Sequence, residues 1–270
     1  MGRHSIAPVI LVLELILPAG VALAQDSLTF LPAQSIYPRY RADALAPQVS
    51  LGKITETREW IGEIGTAFPV AEATGDGWTA QVGAEASTFT RLIKTPGHIT
   101  VSTIDYRIDI PLDLRVPFLL ARLGYGHISN HYVDDGIELL HQHSISAVKD
   151  FLEAGVVRDI GLLHGKTYAQ ASYCYHNEPL RDRHWILQWG GDFGNYAIGP
   201  SWILYGAVDL KLKQEVNWGT TQSYQAGVMY APREGVAMRI AYTVRTGFEE
   251  RGQLFDRTAT TSVLSWSIER

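Results

Sequence analysis

Between Ile104 and Ile110 every second residue is apolar and every residue between them is charged: Ile104, Tyr106, Ile108 and Ile110 alternate with Asp105, Arg107 and Asp109. A helix would scatter these side chains around its circumference, whereas a strand sends successive side chains to opposite faces, so this spacing predicts a strand with one oily and one ionised face. The pattern recurs. Val236, Met238, Ile240, Tyr242 and Val244 oppose Arg239 and Thr243, and Arg245 follows. Trp78, Ala80, Val82, Ala84 and Ala86 oppose Thr79, Gln81, Glu85 and Ser87; Leu204, Val208, Leu210 and Leu212 oppose Asp209 and Lys211.

Two architectures satisfy such strands: a soluble sandwich with its polar faces outward, or a transmembrane barrel with its polar faces inward. The segments favour the barrel, because many run to ten residues or more, and a bilayer asks for about 9–11 tilted residues per strand. Aromatic residues also gather near segment ends, among them Trp78, Tyr106, Tyr125, Trp185, Trp189, Trp202, Tyr230 and Trp266, as interfacial girdles require. With 46% hydrophobic residues and a mean hydropathy of −0.03, a helical membrane protein is excluded and a barrel is allowed. The expected fold is therefore all-β, a transmembrane antiparallel up-and-down barrel of about 12 strands with a polar lumen. The strands are placed at roughly 48–55, 58–70, 77–93, 98–112, 116–131, 138–160, 164–178, 184–194, 197–212, 218–231, 235–247 and 254–268. A charge at the bilayer midplane costs roughly 2–4 kcal/mol for Arg or Lys. Asp105, Arg107, Asp109, Arg122, Glu153, Asp209, Lys211 and Arg239 are thus expected in the lumen. Mixed signs at close spacing favour a filled, closed lumen over a pore.

Residues 1–24 have the organisation of a secretory signal: Arg3, an apolar core from Ile6 to Leu17, and the small-residue ending Ala22-Leu23-Ala24. Residues 25–47, with three prolines and no clear period, read as an N-terminal arm or plug-like lead-in, and residues 48–270 as the barrel. An exported barrel belongs in the outer membrane of a Gram-negative bacterium, with the N-terminus in the periplasm and the end of the fifth strand outside. Cys174 is the single cysteine, so no internal disulfide forms. A net charge of −5 gives no reason to expect nucleic acid. The expected partners are membrane lipids, a second copy of the chain in a homodimer and, during biogenesis, the barrel-assembly machinery.

The stretch Leu119 to His131 carries the candidate chemistry. Its odd face is oily at Leu119, Ala121, Leu123 and Tyr125 and then changes to His127, Ser129 and His131, which puts a base and a hydroxyl side by side near an outer rim, facing lipid. Ester transfer needs a hydroxyl, a base and a third group that orients the base. Ser129 is the candidate nucleophile and His127 its base. A hairpin centred near Asp134 and Asp135 would set Ser129 opposite His141 and His127 opposite His143, making His143, His141 or Asp135 the orienting group. Asp134, Asp135 and Glu138 offer oxygen ligands for calcium, the one cofactor expected. Other readings of the same residues stand beside this one: His127 and Ser129 as a polar pair anchoring a strand end, His127, His131, His141 and His143 as a zinc or copper site, and the acidic loop as simply solvated. The whole would be a serine acyl-ester hydrolase acting on phospholipid or lipid A, or else a non-enzymatic envelope barrel or small-solute channel.

His127-Ile128-Ser129-Asn130, following an up-going strand, resembles the His-x-Ser-Asn signature of the outer-membrane phospholipase family. That resemblance implies a twelve-stranded barrel whose His and Ser face lipid, calcium-dependent activity, and a third catalytic residue, an Asn, on the next strand. The Gly usual after Ser-Asn is His131 here. Over nearly the whole mature length, Phe30-Leu31-Pro32 with Pro38-Arg39, Ile104-Asp105-Tyr106-Arg107-Ile108, His127 to His131 followed by Asp134-Asp135, and Gly252-Gln253-Leu254-Phe255 are similar to the bacterial family catalogued as domain of unknown function 1207. This second resemblance implies an outer-membrane barrel and no particular activity.

Overall fold

The structure is a computed structural model, and it describes residues 25–133, 136–140, 147–233 and 235–269. The expected signal at 1–24 lies outside the described residues, as do Asp134, Asp135, His141 and His143.

Thirteen strands are present among the described residues: β1 (Gln25–Phe30), β2 (Val49–Ile54), β3 (Glu59–Gly75), β4 (Trp78–Thr95), β5 (His98–Val116), β6 (Leu119–Tyr132), β7 (Ala147–Ile160), β8 (Gly165–Glu178), β9 (Trp185–Ala197), β10 (Trp202–Lys213), β11 (Gly219–Tyr230), β12 (Ala237–Phe248) and β13 (Thr258–Glu269). From β2 to β13 each pairs antiparallel with its neighbour in sequence. The last strand returns to the first, from Ile268 opposite Val49 to Val263 opposite Ile54, so twelve strands close into an up-and-down barrel. Closure leaves the wall without a free edge along which another chain could add.

The two faces fall as the alternation predicts. Asp105, Asp109, Arg122, Glu153, Asp209, Lys211 and Arg239 are buried inside, and Arg107 is enclosed with them against Asp109 and Glu153. Ile108, Ile110, Leu123, Leu152, Leu204, Ile240 and Leu264 are all about half exposed on the outer wall. Aromatic pairs stand at both ends of that wall: Tyr173 with Trp185, 5.0 Å apart, at the end that β6 reaches at Tyr132, and Trp202 with Tyr230, 5.1 Å apart, at the other. The end holding Tyr132 is called the upper end below.

The segment after β1 explains what fills the lumen. β1 pairs with the lower part of β3, from Gln25 opposite Gly75 to Phe30 opposite Ala71, along the stretch of β3 that β2 leaves unpaired beyond Ile64. The chain then turns inward and crosses the barrel interior before emerging as β2. Tyr37, Tyr40, Ala42, Asp43, Ala44 and Ala46 are all buried there. Tyr40 stacks flat on Tyr168 at 3.6 Å, and the Arg122 guanidinium lies 4.1 Å from the Tyr37 ring. Gly155 makes room for this segment, since a Cβ in its place would meet the Tyr37 hydroxyl at 2.8 Å.

Charges inside a wall of low polarity must be matched, because an unpaired buried ion costs several kcal/mol. Arg122 bridges Asp113 at 2.7 Å and Glu85 at 2.9 Å. Lys211 binds Asp43 of the inner segment at 2.6 Å and Glu250 at 3.0 Å, and Gln188 donates to both Asp43 and Asp209. At the upper end the β12–β13 connection folds down into the mouth: Arg251, Gly252, Gln253 and Leu254 are buried, and Arg251 pairs with Glu63. The interior is a packed network, as mixed signs at close spacing suggest.

One expected strand is corrected. The segment 138–160 is not continuous strand: Gly136–Leu140 form a short helix, α1, and β7 starts only at Ala147. The turn is therefore not centred on Asp134 and Asp135. His127 pairs with Asp150 rather than His143, and Ser129 with Val148 rather than His141.

Candidate active site

β6 sends its even residues inward, with Leu120, Arg122, Gly126, Ile128 and Asn130 buried, and its odd residues outward. Tyr125, His127, Ser129 and His131 therefore stand in file on the outer wall, approaching the upper end. Gly126 allows this: a Cβ there would collide with Phe151 and Asp109 of the lumen, so the bare backbone lets Phe151 pack beneath the strand. On the β5 side, Ile108 lies opposite His127 and Tyr106 opposite Ser129. The His131 ring packs at 5.9 Å from the Tyr106 ring.

On the β7 side the outward residues from the level of His127 downward are Asp150, Leu152, Ala154 and Val156, one carboxylate and three apolar side chains, before the exposed Arg158 near the lower end. Asp150 sits directly across from His127, and His127 Nδ1 lies 2.7 Å from Asp150 Oδ1. The Tyr125 hydroxyl donates to the same oxygen at 3.1 Å. The second oxygen, Oδ2, lies 2.8 Å from Nδ1 of His176 on β8. Because a carboxylate only accepts, Nδ1 carries the proton in both imidazoles. In the neutral form of His127 Nε2 then carries the lone pair that a general base requires.

His176 reaches the outer wall only through an irregularity. Along β8, Tyr173 points out and Cys174 in, so strict alternation would turn Tyr175 out and His176 in. The register with β7 shifts at this point: Phe151 pairs with Cys174, but Asp150 pairs with His176. The extra residue is a β-bulge, and it leaves both Tyr175 and His176 exposed while Asn177 returns inward. The His127 side chain is 37% exposed, that of Asp150 19% and that of His176 47%, so the group is open to molecules on the outside of the wall.

The structure thus brings together Ser129 and His127, two positions apart on one face, and supplies Asp150 behind the imidazole. The hydrogen bonds of His127 and Ser129 include none between them, and the imidazole–carboxylate bond is the one already formed. Such contacts often tighten only when substrate is bound. The groups named from sequence as orienters, His143, His141 and Asp135, lie outside the described residues. Asp150 was not singled out from the sequence, although a carboxylate among the apolar outward residues Leu152, Ala154 and Val156 was a signal that could have found it. His176 left no such signal, because the bulge reverses its parity.

The expected calcium ligands do not assemble among the described residues. Glu138 is exposed on α1, and calcium takes six to eight oxygen ligands, of which this is one. No group of three or more His, Cys, Asp or Glu is arranged to hold a metal among the described residues, which also leaves the zinc or copper reading of His127 and His131 without a third ligand there.

No family model matches this chain, and no curated protein does. Solved structures do resemble it in fold. The outer-membrane phospholipase dimer of Salmonella typhi with bound calcium superposes with a TM-score of 0.54 at 13% identity, over 83% of this chain and 91% of that one. The outer-membrane phospholipase A of Escherichia coli gives 0.52 at 14% identity, over 86% of this chain and 98% of that one.

Proposed function

We propose that the protein is an outer-membrane barrel that hydrolyses lipid esters at its outer wall, with Ser129 as nucleophile, His127 as general base and Asp150 as the group that orients and charges the base. The observation that carries this reading is the 2.7 Å contact between His127 and Asp150, with Ser129 two positions along on the same outward face. A strand end that needed only a polar anchor among headgroups would have no use for a carboxylate fixed behind one imidazole nitrogen. In the reaction, Ser129 Oγ attacks the ester carbonyl while Nε2 of His127 takes its proton. The imidazolium so formed is stabilised by Asp150 and returns the proton to the departing alcohol, leaving an acyl-serine that water opens by the same route in reverse.

The placement supports a lipid substrate. The half-exposed belt of Ile108, Ile110, Leu123 and Leu152 would face hydrocarbon, and Tyr173 with Trp185 would mark the interface beside the site. Phospholipid and lipid A both offer esters at that level. The scheme as written draws only on side chains of this chain; Asp134 and Asp135, two of the three expected calcium ligands, lie outside the described residues. A channel function is disfavoured by the segment 31–48, whose Tyr37, Tyr40 and Asp43 are buried in the lumen.

The test is purified, refolded protein assayed for fatty-acid release from mixed micelles of phospholipid and of lipid A, with Ser129→Ala and His127→Ala alongside. Loss of release in both variants with heat-modifiable migration retained supports the proposal. Release that survives both substitutions, or no release by the unmodified protein from either lipid, removes it.

A further inference from the structure

Asp150 has two oxygens, and the proposed mechanism uses one. Oδ1 accepts from His127 and from Tyr125, whereas Oδ2 has a single described partner, Nδ1 of His176 at 2.8 Å. The terminal torsion of an aspartate is broad and roughly two-fold, so a carboxylate held at one oxygen can swing about that contact. Held at both, by donors from the strands on either side, it cannot.

We infer that His176 is a positioning residue for this site: carried to the outer wall by the bulge at Tyr175, it locks Asp150 in the orientation that serves His127. The inference rests on the hydrolase reading above and adds to it a fourth residue from a third strand. Three observations support it. The bulge breaks the β7–β8 ladder at the level of Asp150 and nowhere else along that pair, and its effect is to turn His176 toward the carboxylate. Bulges commonly re-aim a side chain beside an active site. Second, the outward neighbours of His176 on its own strand are Tyr173 and Tyr175, so it has no aliphatic hydroxyl beside it to activate, which separates it from His127 with its Ser129. Third, no other donor to Oδ2 stands among the described residues. The ladder between β8 and β9 ends at Tyr173 opposite Trp185, and the next imidazole, His184, is occupied with the Cys174 carbonyl at 2.7 Å and stacked at 5.2 Å on Tyr173. Arg181, in the β8–β9 connection, is paired with Glu178 at 2.7 Å.

The consequence is a site whose precision comes from β8 although its chemistry lies on β6 and β7. Constellations of this kind lose activity when the supporting contact is loosened, even with every reacting group intact.

The experiment uses the full refolded barrel with His176→Ala, which leaves Oδ2 without its donor, and His176→Gln, whose amide N–H can still donate to it. The expected result is a kcat about tenfold lower in H176A with KM unchanged, and recovery to within about threefold of the unmodified protein in H176Q. Proton NMR supplies a readout that does not need turnover. The hydrogen-bonded Nδ1–H of His127 gives a downfield resonance, which broadens or moves upfield in H176A and is restored in H176Q. If H176A matches the unmodified protein in kcat and in this resonance, the inference is overturned while the hydrolase reading stands. If both variants lose all activity with the resonance unchanged, His176 takes part in the chemistry and is not a positioning residue. If the unmodified protein hydrolyses no ester, the hydrolase reading fails. The resonance then decides by itself whether His176 fixes the carboxylate.

Discussion

Substitution of Asp150 separates the two jobs that the carboxylate is given. Asp150→Asn keeps the shape and one acceptor. Its amide oxygen can take the Nδ1–H of His127, while its NH2 faces His176, whose ring can change tautomer to accept. What is lost is the negative charge beside an imidazolium that exists only in the transition state. Unit charges about 4 Å apart at an effective dielectric of about 20 attract by roughly 4 kcal/mol. With His127 more than a third exposed and Asp150 partly so, about half of that survives solvent screening. About 2 kcal/mol corresponds to a rate loss of about thirtyfold, expected in kcat with KM unchanged because the ground state carries a neutral imidazole. Asp150→Ala removes orientation as well, leaving the imidazole free to turn and to take the wrong tautomer, and is expected to cost about 10³ or more. The assay is fatty-acid release from phospholipid micelles, with heat-modifiable migration as the control for folding. Activity of D150A within threefold of the unmodified protein would refute the reasoning, and so would D150N being the weaker of the two.

Other substitutions test the interior and the wall. Lys211→Met strands Asp43, Asp209 and Glu250 without their shared cation, and should destabilise the barrel by about 3–5 kcal/mol, read as a lower temperature for loss of heat-modifiable migration. Deleting residues 31–47 should convert a silent barrel into one that conducts in planar bilayers; if the deletion prevents folding, Asp43→Ala with Arg41→Ala should give intermittent conductance. Burial pushes the Asp43 carboxyl up, but the Lys211 ammonium, with hydrogen bonds from Lys211 and the Leu45 amide, outweighs it and holds Asp43 below its ordinary value. Its contribution to holding the inner segment is thus complete above about pH 3.9 and lost as the pH falls through the lower folded value, so conductance should appear only on strong acidification. Ile240→Arg, on the oily face, should cost roughly 2–4 kcal/mol in lipid and much less in a detergent that can rearrange around it.

The faces of the regular strands were readable because two unlike solvents, hydrocarbon and a polar lumen, impose the same alternation on Ile104 to Ile110 as on Val236 to Val244. Nothing comparable acts on a connection. The hairpin between β6 and β7 could not be registered from Asp134 and Asp135, because Gly136–Leu140 make a turn of helix that offsets the pairing, with Ser129 opposite Val148 and His127 opposite Asp150. The arm from Gln25 to Pro47 has no period because its partners are not periodic. One part borrows a vacant stretch of β3, and the rest answers individual charges such as Lys211 and Asp192 through Asp43 and Arg41. The candidate site obeys the same division. Ser129 and His127 were visible as the place where an oily face turns polar, and Asp150 breaks the oily face of β7 in the same way. His176 belongs to the other class, since its position depends on one inserted residue in β8, and a bulge leaves no mark on composition or period. A rule of alternation therefore finds the two residues on the regular strand, and it could have flagged the carboxylate opposite them, which the choice of His143, His141 or Asp135 as orienter passed over. It misses the imidazole on the far oxygen, whose role shows only in the paired geometry of β7 and β8.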